Sequence, residues 1–394
     1  GNLSDYQAQG SYSVGPIYQG IAAVEYTGLA NQALRWEQSK TFDIGLDAGA
    51  FEDRVYLTFD YYRRITSNLL TSLPLPYSTG FTSILTNYGS LENKGIELEL
   101  GATVVKSKDM SWDLSLNFSN SNNKILHLPD NGNKNNRVGG YYVYDRKSES
   151  YTYLGGLQEG GRIGDLYGYQ FLSVYATDAD AANGPYDVLV AGSNKTKYGG
   201  DVSWLDIDKN DTINTRDMVY MGNIYPKWTG GFSSTVSYKG LSLYVRCDFA
   251  TGHTIYNYMR ANLDGQFVGS TNSTTDILKS WLHQGDQTDV PRYYWADQVA
   301  QANYWRGDPR SGSQGSSVNF EKGGYLAIRE ITLSYNTPSS WYKKIGIDNL
   351  RIYATGNNLK YFTNYSGYSP EKGGYDDGRY PIPRNLILGV NVTF

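Results

Sequence analysis

The chain of 394 residues contains one cysteine, Cys247, and three histidines. A single thiol excludes a disulfide framework and a cysteine-based metal site. The histidines, His127, His253 and His283, have no second histidine or cysteine at metal-ligand spacing, and the sequence has no serine-based nucleophile elbow. Because no group of residues suggests catalysis, we predict that the protein is not an enzyme.

Long apolar runs and a large excess of one charge are absent as well. No segment approaches the ~20 apolar residues that a transmembrane helix needs, and the mean hydropathy is −0.51. The 35 basic side chains are nearly balanced by 39 acidic ones, so the composition offers no basic surface for nucleic acid. A membrane location stays compatible with these values, because barrel strands turn only half of their residues towards lipid.

The sequence is rich in glycine (44 residues), in tyrosine (37 residues) and in alternating apolar and polar positions. In segment 241–249, one parity carries leucine, valine, cysteine and phenylalanine, whereas the other carries Ser242, Arg246 and Asp248. The same alternation occurs at 95–104, 111–119 and 385–394, and more weakly around 41–50, 54–62, 226–238, 329–335 and 348–357. Since successive side chains of a strand point to opposite faces, these segments are predicted to be strands with one apolar and one polar face.

The connections between the predicted strands alternate between short and long. Short turns join the strand pairs 35–50 and 53–68, 87–105 and 110–122, 226–238 and 241–256, and 320–336 and 348–362. The other connections are long, at about 69–86, 123–225, 257–319 and 363–383. Every short turn therefore lies at one end of the strands, which is typical of outer-membrane barrels with short periplasmic turns and long extracellular loops. A soluble sandwich also has alternating strands, but it has no reason to keep this asymmetry.

We therefore predict an all-β fold, a transmembrane antiparallel β-barrel in the bacterial outer membrane with nine strands in this chain. Its expected parts are an extracellular loop segment at 1–34, barrel strands at 35–122, an extracellular excursion at 123–225, and barrel strands at 226–394 with long extracellular loops at 257–319 and 363–383. The excursion is expected to be folded, since so long a stretch without structure is uncommon. Because the strands alternate in direction and the last one follows a long loop, it ends on the side of the short turns, and the C-terminus is expected on the periplasmic side.

An acidic segment in the excursion follows the pattern of a calcium-binding loop. Oxygen-bearing side chains occur at positions 1, 3, 5 and 12 of the segment 206–217, and a β-branched residue occurs at position 8. The predicted ligands are Asp206, Asp208, Asn210, Thr212 (through its carbonyl) and Asp217. Position 6 is Asp211 where such loops prefer glycine, and the alternative is an Asp/Asn-rich surface turn. Calcium is the only cofactor that the sequence suggests, with a structural role.

Aromatic clusters in the predicted outer loops are candidate contacts for a substrate or a partner protein. They include Tyr142, Tyr144, Tyr293, Trp295, Tyr304 and Trp305. Flat rings suit sugar faces or peptide side chains, but the same residues also pack loops together. The run 270–283 is predicted to be a capped helix with an apolar stripe formed by Ile277, Leu278, Trp281 and Leu282.

Several local motifs occur in a particular order along nearly the whole chain. They are Leu34-Arg-Trp36-Glu37 with Asp43-Ile-Gly45; Asn87-Tyr-Gly89 with Glu92-Asn-Lys-Gly95-Ile-Glu97; Pro226 with Gly230-Gly-Phe232; Gly324-Tyr-Leu326 with Arg329-Glu-Ile-Thr-Leu-Ser334; Thr355-Gly-Asn-Asn-Leu359; and Gly389-Val-Asn-Val-Thr-Phe394. In this order and spacing the sequence resembles the C-terminal part of the SusC/RagA family of TonB-linked outer-membrane transporters.

The resemblance implies a 22-stranded barrel with an N-terminal plug, which imports oligosaccharides or peptides together with a SusD-like surface lipoprotein and is energised by TonB. The plug, the TonB box and the earlier strands lie outside these residues. Because an open nine-stranded sheet would leave unpaired edges in lipid, we expect further chain to complete the barrel.

Two other functions remain open on the sequence alone. A passive porin would lack the TonB box and plug upstream of Gly1, and an extracellular adhesin-type β-protein would lack an apolar belt facing lipid. The identity of the substrate is not encoded in the motifs, which oligosaccharide and peptide importers of the family share.

Overall fold

The computed structural model describes residues 8–190, 196–264, 272–294, 297–303, 306, 315–342, 346–371 and 373–394. In chain order, the strands are β1 Ser11–Tyr18, β2 Ile21–Gly28, β3 Gln38–Ala50, β4 Val55–Ser67, β5 Leu70–Pro74, β6 Ser83–Asn87, β7 Ser90–Lys106, β8 Met110–His127, β9 Tyr141–Asp145, β10 Ser150–Leu154, β11 Asp165–Tyr169, β12 Phe171–Val174, β13 Tyr186–Asp187, β14 Val202–Trp204, β15 Thr212–Ile213, β16 Met218–Asn223, β17 Trp228–Tyr238, β18 Leu241–Thr251, β19 Thr254–Asn257, β20 Phe320–Lys322, β21 Tyr325–Asn336, β22 Asn349–Thr363, β23 Gly374–Asp376 and β24 Asn385–Thr393.

Helical segments within the described residues are short. The α-helices are α1 Asp178–Ala182, α2 Tyr258–Asp264 and α3 Gln298–Gln301. The 3-10 turns are Tyr77–Thr79, Lys134–Asn136, Thr215–Asp217, Thr275–Lys279, Ser317–Asn319 and Ser339–Trp341. No helix among the described residues combines the length and the apolar character needed to cross a membrane.

Nine of the strands form one sheet in the order β24-β22-β21-β18-β17-β8-β7-β4-β3. Each neighbouring pair is antiparallel, so the sheet is a meander in which every strand lies beside the sheet strand before it and the one after it. The short links are 51–54, 107–109, 239–240 and 337–348, and the long links are 68–89, 128–227, 252–324 and 364–384. Consequently all four short links lie at one end of the sheet, and the predicted alternation is confirmed.

The link between β17 and β18 shows why such a turn can be short. Lys239 and Gly240 both have positive φ, at 47° and 86°. Two consecutive residues of positive φ match the right-handed twist of the flanking strands, and glycine adopts this conformation without a steric penalty. The predicted tight hairpin at this point is confirmed.

One face of the sheet is apolar from the first strand to the last. In register across the strands, Leu46 lies opposite Phe59, which pairs with Leu98 and then with Phe118. The row continues through Gly230 and then through Phe249, Leu326 and Phe362. Many of these side chains are exposed, from 36% for Phe59 to 56% for Leu46. A continuous exposed apolar band is the feature expected of a wall that faces lipid.

The opposite face of the same strands is polar and charged. Its rows include Asp47, Thr58, Glu99 and Asn117 in one register, and Asp60 with Glu97 in the next. On this face, tyrosine rings occupy the space above glycines of the neighbouring strand. A Cβ added at Gly101 would lie 1.9 Å from a ring atom of Tyr56, its cross-strand partner. The carboxylates of Glu97 and Glu99 therefore both lie on this polar face.

Two predicted barrel strands, 241–256 and 320–336, were too long. β18 ends at Thr251, where Gly252 has a φ of 90° and turns the chain out of the sheet. The residues beyond this turn form β19, which pairs with β20 and β23 in a separate three-stranded sheet. The buried side chain of His253 packs against Gly323, where a Cβ would lie 2.3 Å from its Nε2 atom. Glycines at both breaks thus allow a close approach that the alternation pattern does not reveal.

The 128–227 connection is folded and has a hydrophobic core of its own. Six buried residues form this core: Val143, Tyr169, Val202, Trp204, Ile213 and Met218. Four small strand pairs surround it, namely β9 with β10, β11 with β16, β12 with β14, and β13 with β15. A connection that buries this much apolar surface is a structural unit rather than a bare loop.

The predicted helix over 270–283 is wrong in type and extent. The described part contains only the 3-10 turn Thr275–Lys279, which begins with Thr274 accepting a hydrogen bond from the Asp276 amide. Leu278 and Leu282 are 81% and 67% exposed, so these two residues of the expected apolar stripe do not pack against the rest of the fold. Trp281 alone is anchored, because its indole N–H donates to the Ala176 carbonyl at 3.0 Å.

Candidate functional site

The acidic segment 206–217 forms a compact loop in which three carboxylates converge. Oxygen atoms of Asp206, Asp208 and Asp217 all lie within 4.8 Å of one another. Asp217 is fully buried, and it accepts backbone hydrogen bonds from Asn214 at 2.7 Å and from Ile207 at 3.0 Å. Burial, together with the negative charges of Asp208 and Asp206, raises the pKa of Asp217 to about 6, although both hydrogen bonds oppose this shift. The loop therefore concentrates negative potential that a cation would relieve.

The backbone of this loop makes a sharp turn at position 6, although this position carries an aspartate and not the preferred glycine. Asp211, at the position where calcium loops prefer glycine, has a φ of 58°. Aspartate is one of the few residues that tolerate the left-handed conformation, and its backbone N–H is held by an Asp206 carboxylate oxygen at 2.7 Å. The other predicted ligands lie in the same turn: the Asn210 side chain donates to Asp208 at 2.9 Å and accepts from the Thr212 amide at 2.9 Å.

A tyrosine face lies directly beside the acidic loop. The cross-strand pairs of β9 and β10 put Tyr142 opposite Tyr153 and Tyr144 opposite Tyr151, so all four rings share one side of the hairpin. Ring centroids are 4.9 Å apart for the first pair and 5.4 Å apart for the second. The other side of the hairpin is anchored by Val143, which is only 1% exposed. We call these four residues the tyrosine face.

Two contacts join the tyrosine face to the acidic loop. The Tyr151 hydroxyl donates to a carboxylate oxygen of Asp208 at 2.5 Å. This hydrogen bond is the main reason why the pKa of Tyr151 is raised above its usual value. The guanidinium of Arg216 lies over the Tyr151 ring at 5.1 Å and over the Tyr142 ring at 5.9 Å. Two features that were predicted separately, about 60 residues apart in the sequence, thus form one surface.

The remaining aromatic candidates are placed only in part. Tyr293 is 37% exposed, and its hydroxyl lies 3.4 Å from that of Ser273. Trp295, Tyr304 and Trp305 lie outside the described residues. The structure therefore brings Tyr142 and Tyr144 together with the acidic loop.

Sequence reasoning missed a buried ionic cluster that joins two long connections. The Asp187 carboxylate, 1% exposed, lies 2.9 Å from an Arg306 guanidinium nitrogen and 3.2 Å from the Lys197 ammonium. Burial alone would raise the pKa of Asp187, but the adjacent positive charges of Arg306 and Lys197 hold that pKa below its usual range. The guanidinium also lies over the Trp204 ring at 4.7 Å. No sequence motif marks these residues.

A second ion pair makes the same connection between the two long segments. Arg292 binds Asp201 through two nitrogen atoms, at 2.7 and 3.0 Å, and it also contacts Asp297 at 2.9 Å. The Asn303 side chain donates to Asp201 at 3.1 Å and accepts from the Val202 amide at 3.0 Å. Bidentate arginine–carboxylate pairs are geometrically specific, so the 128–227 and 252–324 connections are held in a defined arrangement.

On the polar face of the sheet, Arg329 binds the last long connection to the wall. The residue occupies a β-bulge, since the register of β21 with β22 shifts between Ile328 and Glu330. Its guanidinium contacts Asp248 at 2.8 Å and the Tyr361 hydroxyl at 2.8 Å, and it also binds Glu371 of the 364–384 connection. This connection is therefore attached to the polar face and not free above it.

Comparisons with known proteins agree with this architecture. Residues 3–193 match the family model described as TonB dependent receptor-like, beta-barrel. TonB-dependent receptor P3 of Formosa agariphila is 30% identical over 100% of this chain and 38% of its own length. TonB-dependent receptor SusC of Bacteroides thetaiotaomicron is 28% identical over 92% of this chain and 32% of its own length. The RagAB peptide importer in its open-open state matches with a TM-score of 0.74 and 25% identity, over 100% of this chain and 38% of that chain.

The fold is thus that of the TonB-dependent receptor β-barrels, whose known members are outer-membrane proteins. Within this class, the chain corresponds to the C-terminal barrel portion of the SusC/RagA-like receptors, and the predicted family is confirmed. The chain spans less than two fifths of the length of the relatives named here.

Proposed function

We propose that this chain forms the C-terminal wall and outer loops of a TonB-dependent importer, which takes up oligosaccharides or peptides together with a SusD-like surface lipoprotein. The observation that carries the proposal is the nine-stranded meander with an apolar face, a charged face and all its short links at one end. A wall of this kind separates lipid from a polar interior. The likeness to SusC and to the RagAB importer supports an importer energised by TonB over a passive porin.

The long connections support a role in capture outside the membrane. Two of them, 128–227 and 252–324, are cross-linked by the buried ion pairs of Asp187 and Asp201, so they present a fixed surface. The tyrosine face and two strongly exposed leucines, Leu278 and Leu282, belong to that surface. Tyrosine and arginine are enriched where proteins bind partners, which fits contact with a lipoprotein or with substrate.

The test is uptake by cells that carry the intact receptor. Radiolabelled starch oligosaccharides and a tryptic peptide mixture are supplied to cells with functional TonB and to cells in which TonB is disrupted. We expect accumulation of one of these substrate classes only when TonB is functional, and co-purification of the receptor with a surface lipoprotein. Uptake that is unchanged without TonB would indicate a passive porin, and surface attachment without uptake would indicate an adhesin.

We also propose that the acidic loop holds a structural calcium ion through Asp206, Asp208, Asn210, the Thr212 carbonyl and Asp217. Three converging carboxylates and a left-handed turn at Asp211 support this proposal. Calcium takes six to eight oxygen ligands, and carboxylates, amides and carbonyls are its usual protein ligands. A bound ion would offset the mutual repulsion of the three converging carboxylates, and it would fix the adjacent tyrosine face.

Limited proteolysis of the intact receptor tests the calcium proposal. We expect the 128–227 connection to be cleaved more slowly in calcium chloride than in a chelator, and Asp206→Asn to remove this difference. Asp130→Asn is a matched control, because Asp130 is an exposed residue of the same connection. Equal cleavage rates with and without calcium in the unaltered receptor would leave the loop as an ordinary surface turn.

A further inference from the structure

A cavity of about 650 Å³ lies among the outer connections, apart from the tyrosine face and the acidic loop. Its walls come from β12, α2, the 3-10 turn Thr275–Lys279, residues 288–290 and residues 318–319. Binding sites for small ligands occupy concave spaces of ~300–1,000 Å³, so the volume is that of a ligand site.

Hydrogen bonds between the walls show that the cavity is preformed. The Thr274 hydroxyl donates to Asp264 at 2.7 Å and joins the end of α2 to the 3-10 turn. The Thr288 hydroxyl donates to the Lys279 carbonyl at 2.7 Å, and the Phe171 amide donates to the Ser317 hydroxyl at 2.9 Å. Each wall is therefore fixed to its neighbour, and a ligand would meet an ordered site with little ordering cost.

The lining carries charges of both signs around an apolar floor. Arg260 and Lys279 are positive, whereas Asp264, Asp276 and Asp289 are negative. The lining also contains apolar side chains from four parts of the chain, which we call the apolar floor: Phe171, Leu172, Ile277, Val290 and Val318. A ligand that complements this lining has a positive group, a negative group and an apolar group within a few ångströms.

Arg260 is positioned by one nitrogen and keeps donors for a ligand. Its Nη1 atom donates to the Val318 carbonyl at 3.2 Å and lies 3.8 Å from a Glu321 carboxylate oxygen. Among the described residues, these contacts involve Nη1 alone, so Nε and Nη2 remain as donors for a carboxylate. The side chain is 40% exposed and is accessible to an incoming group.

Two opposite charges of the lining contact one another within the 3-10 turn Thr275–Lys279. Lys279 contacts Asp276 at 2.6 Å and lowers the pKa of this carboxyl group, and Arg260 lowers it further by its positive charge. Asp276 thus stays ionised near neutral pH, and its second oxygen can accept a hydrogen bond from an ammonium group.

We propose that this cavity binds short peptides with free termini, holding the carboxylate at Arg260, the ammonium at the aspartates and an apolar side chain on the floor. The inference rests on the proposed import function and names its substrate class. A neutral oligosaccharide has no formal charges to pair with the charges of both signs in this lining. Among the described residues of the lining, Phe171 is the one aromatic residue, and its ring packs at a near-perpendicular angle against Trp204, with the centroids 6.4 Å apart.

The test is isothermal titration calorimetry on the intact receptor in detergent, with alanyl-leucyl-alanine as the probe. Capping both termini of the peptide should weaken binding by at least about tenfold, because the charge-assisted hydrogen bonds are lost. Arg260→Gln should weaken binding of the free peptide by about tenfold and leave the capped peptide unchanged, whereas Arg260→Lys should retain part of the affinity. Arg146→Gln, which removes an exposed arginine of the β9–β10 turn, is the matched control and should bind as the unaltered receptor does.

The outcomes separate this inference from the proposed function. Equal affinity of the free peptide for the Arg260→Gln variant and the unaltered receptor, or tighter binding of maltotriose than of the peptide, would overturn the peptide site. TonB-dependent uptake of some other substrate would then still support the importer. Each variant is first checked for the shift in electrophoretic mobility between heated and unheated samples, which reports a folded barrel.

Discussion

The buried carboxylate of Asp187 is the point where a single substitution should most weaken the outer connections. Asp187→Asn keeps the size of the side chain but removes the negative charge between Arg306 and Lys197. Both cations are buried, with side-chain exposures of 2% and 5%. Removing one partner of a buried ion pair leaves uncompensated charge and costs ~3–5 kcal/mol.

This cost should appear as local opening of the structure. The Tyr186 amide donates to the Asp211 carbonyl and the Val188 amide to the Ile213 carbonyl, at 2.9 and 3.1 Å, so both report on the strand that carries Asp187. A loss of ~3–5 kcal/mol corresponds to hydrogen exchange that is faster by about 10² to 5 × 10³-fold at these amides, since each ~1.4 kcal/mol is a factor of ten. Hydrogen exchange with mass spectrometry on the intact receptor measures it. Asp130→Asn is the control, with an expected change of at most ~0.5 kcal/mol.

The pH dependence gives an internal check on the same group. The pKa of Asp187 is lowered in the folded state, so its contribution to stability is present above its unfolded value of ~3.9 and is lost as the pH falls through the folded value. In the unaltered receptor, the protection factors of the Tyr186 and Val188 amides, which correct for the intrinsic pH dependence of exchange, should therefore fall below a pH of about 4. The Asp187→Asn variant should lack this fall. If the substitution changed exchange by less than about threefold, the ion pairs would not be what holds the two connections together.

Three further predictions, which use four substitutions, test the wall and its attached connection. Leu116→Arg, on the apolar face, should cost ~2–4 kcal/mol in urea titrations in lipid vesicles, whereas Asn117→Arg on the polar face should cost much less, and equal costs would contradict the assignment of the faces. Glu371→Gln should release the 364–384 connection from the bulge of β21 and raise its cleavage by protease about fivefold or more; an unchanged rate would mean that this contact does not hold it. Gly101→Val should displace the Tyr56 ring and destabilise the folded barrel by ~1–3 kcal/mol in the same titrations, and a neutral effect would show that the ring has room to move.

The sequence by itself determined the barrel wall, because alternation is a local property. Each residue's face follows from its parity, so the apolar row through Leu98 and Phe118 and the charged positions 97 and 99 could be assigned without knowing any partner strand. Short turns such as Lys239-Gly240 then fixed which strands are neighbours. The breaks at Gly252 and Gly323 escaped this reasoning, since the positive φ of Gly252 and the close packing of His253 against Gly323 are not visible in the alternation.

The outer connections were decided by tertiary structure. The ligand pattern of 206–217 is local, and it was visible in the sequence. That the tyrosine face packs against it, through Tyr151 and Arg216, depends on how a hairpin lies on a shared core. Asp187 and Arg306 are 119 positions apart, and they meet because two long connections fold together. No spacing rule links residues so distant in sequence, since their contact is set by burial of apolar surface and by the cost of leaving a buried charge unpaired.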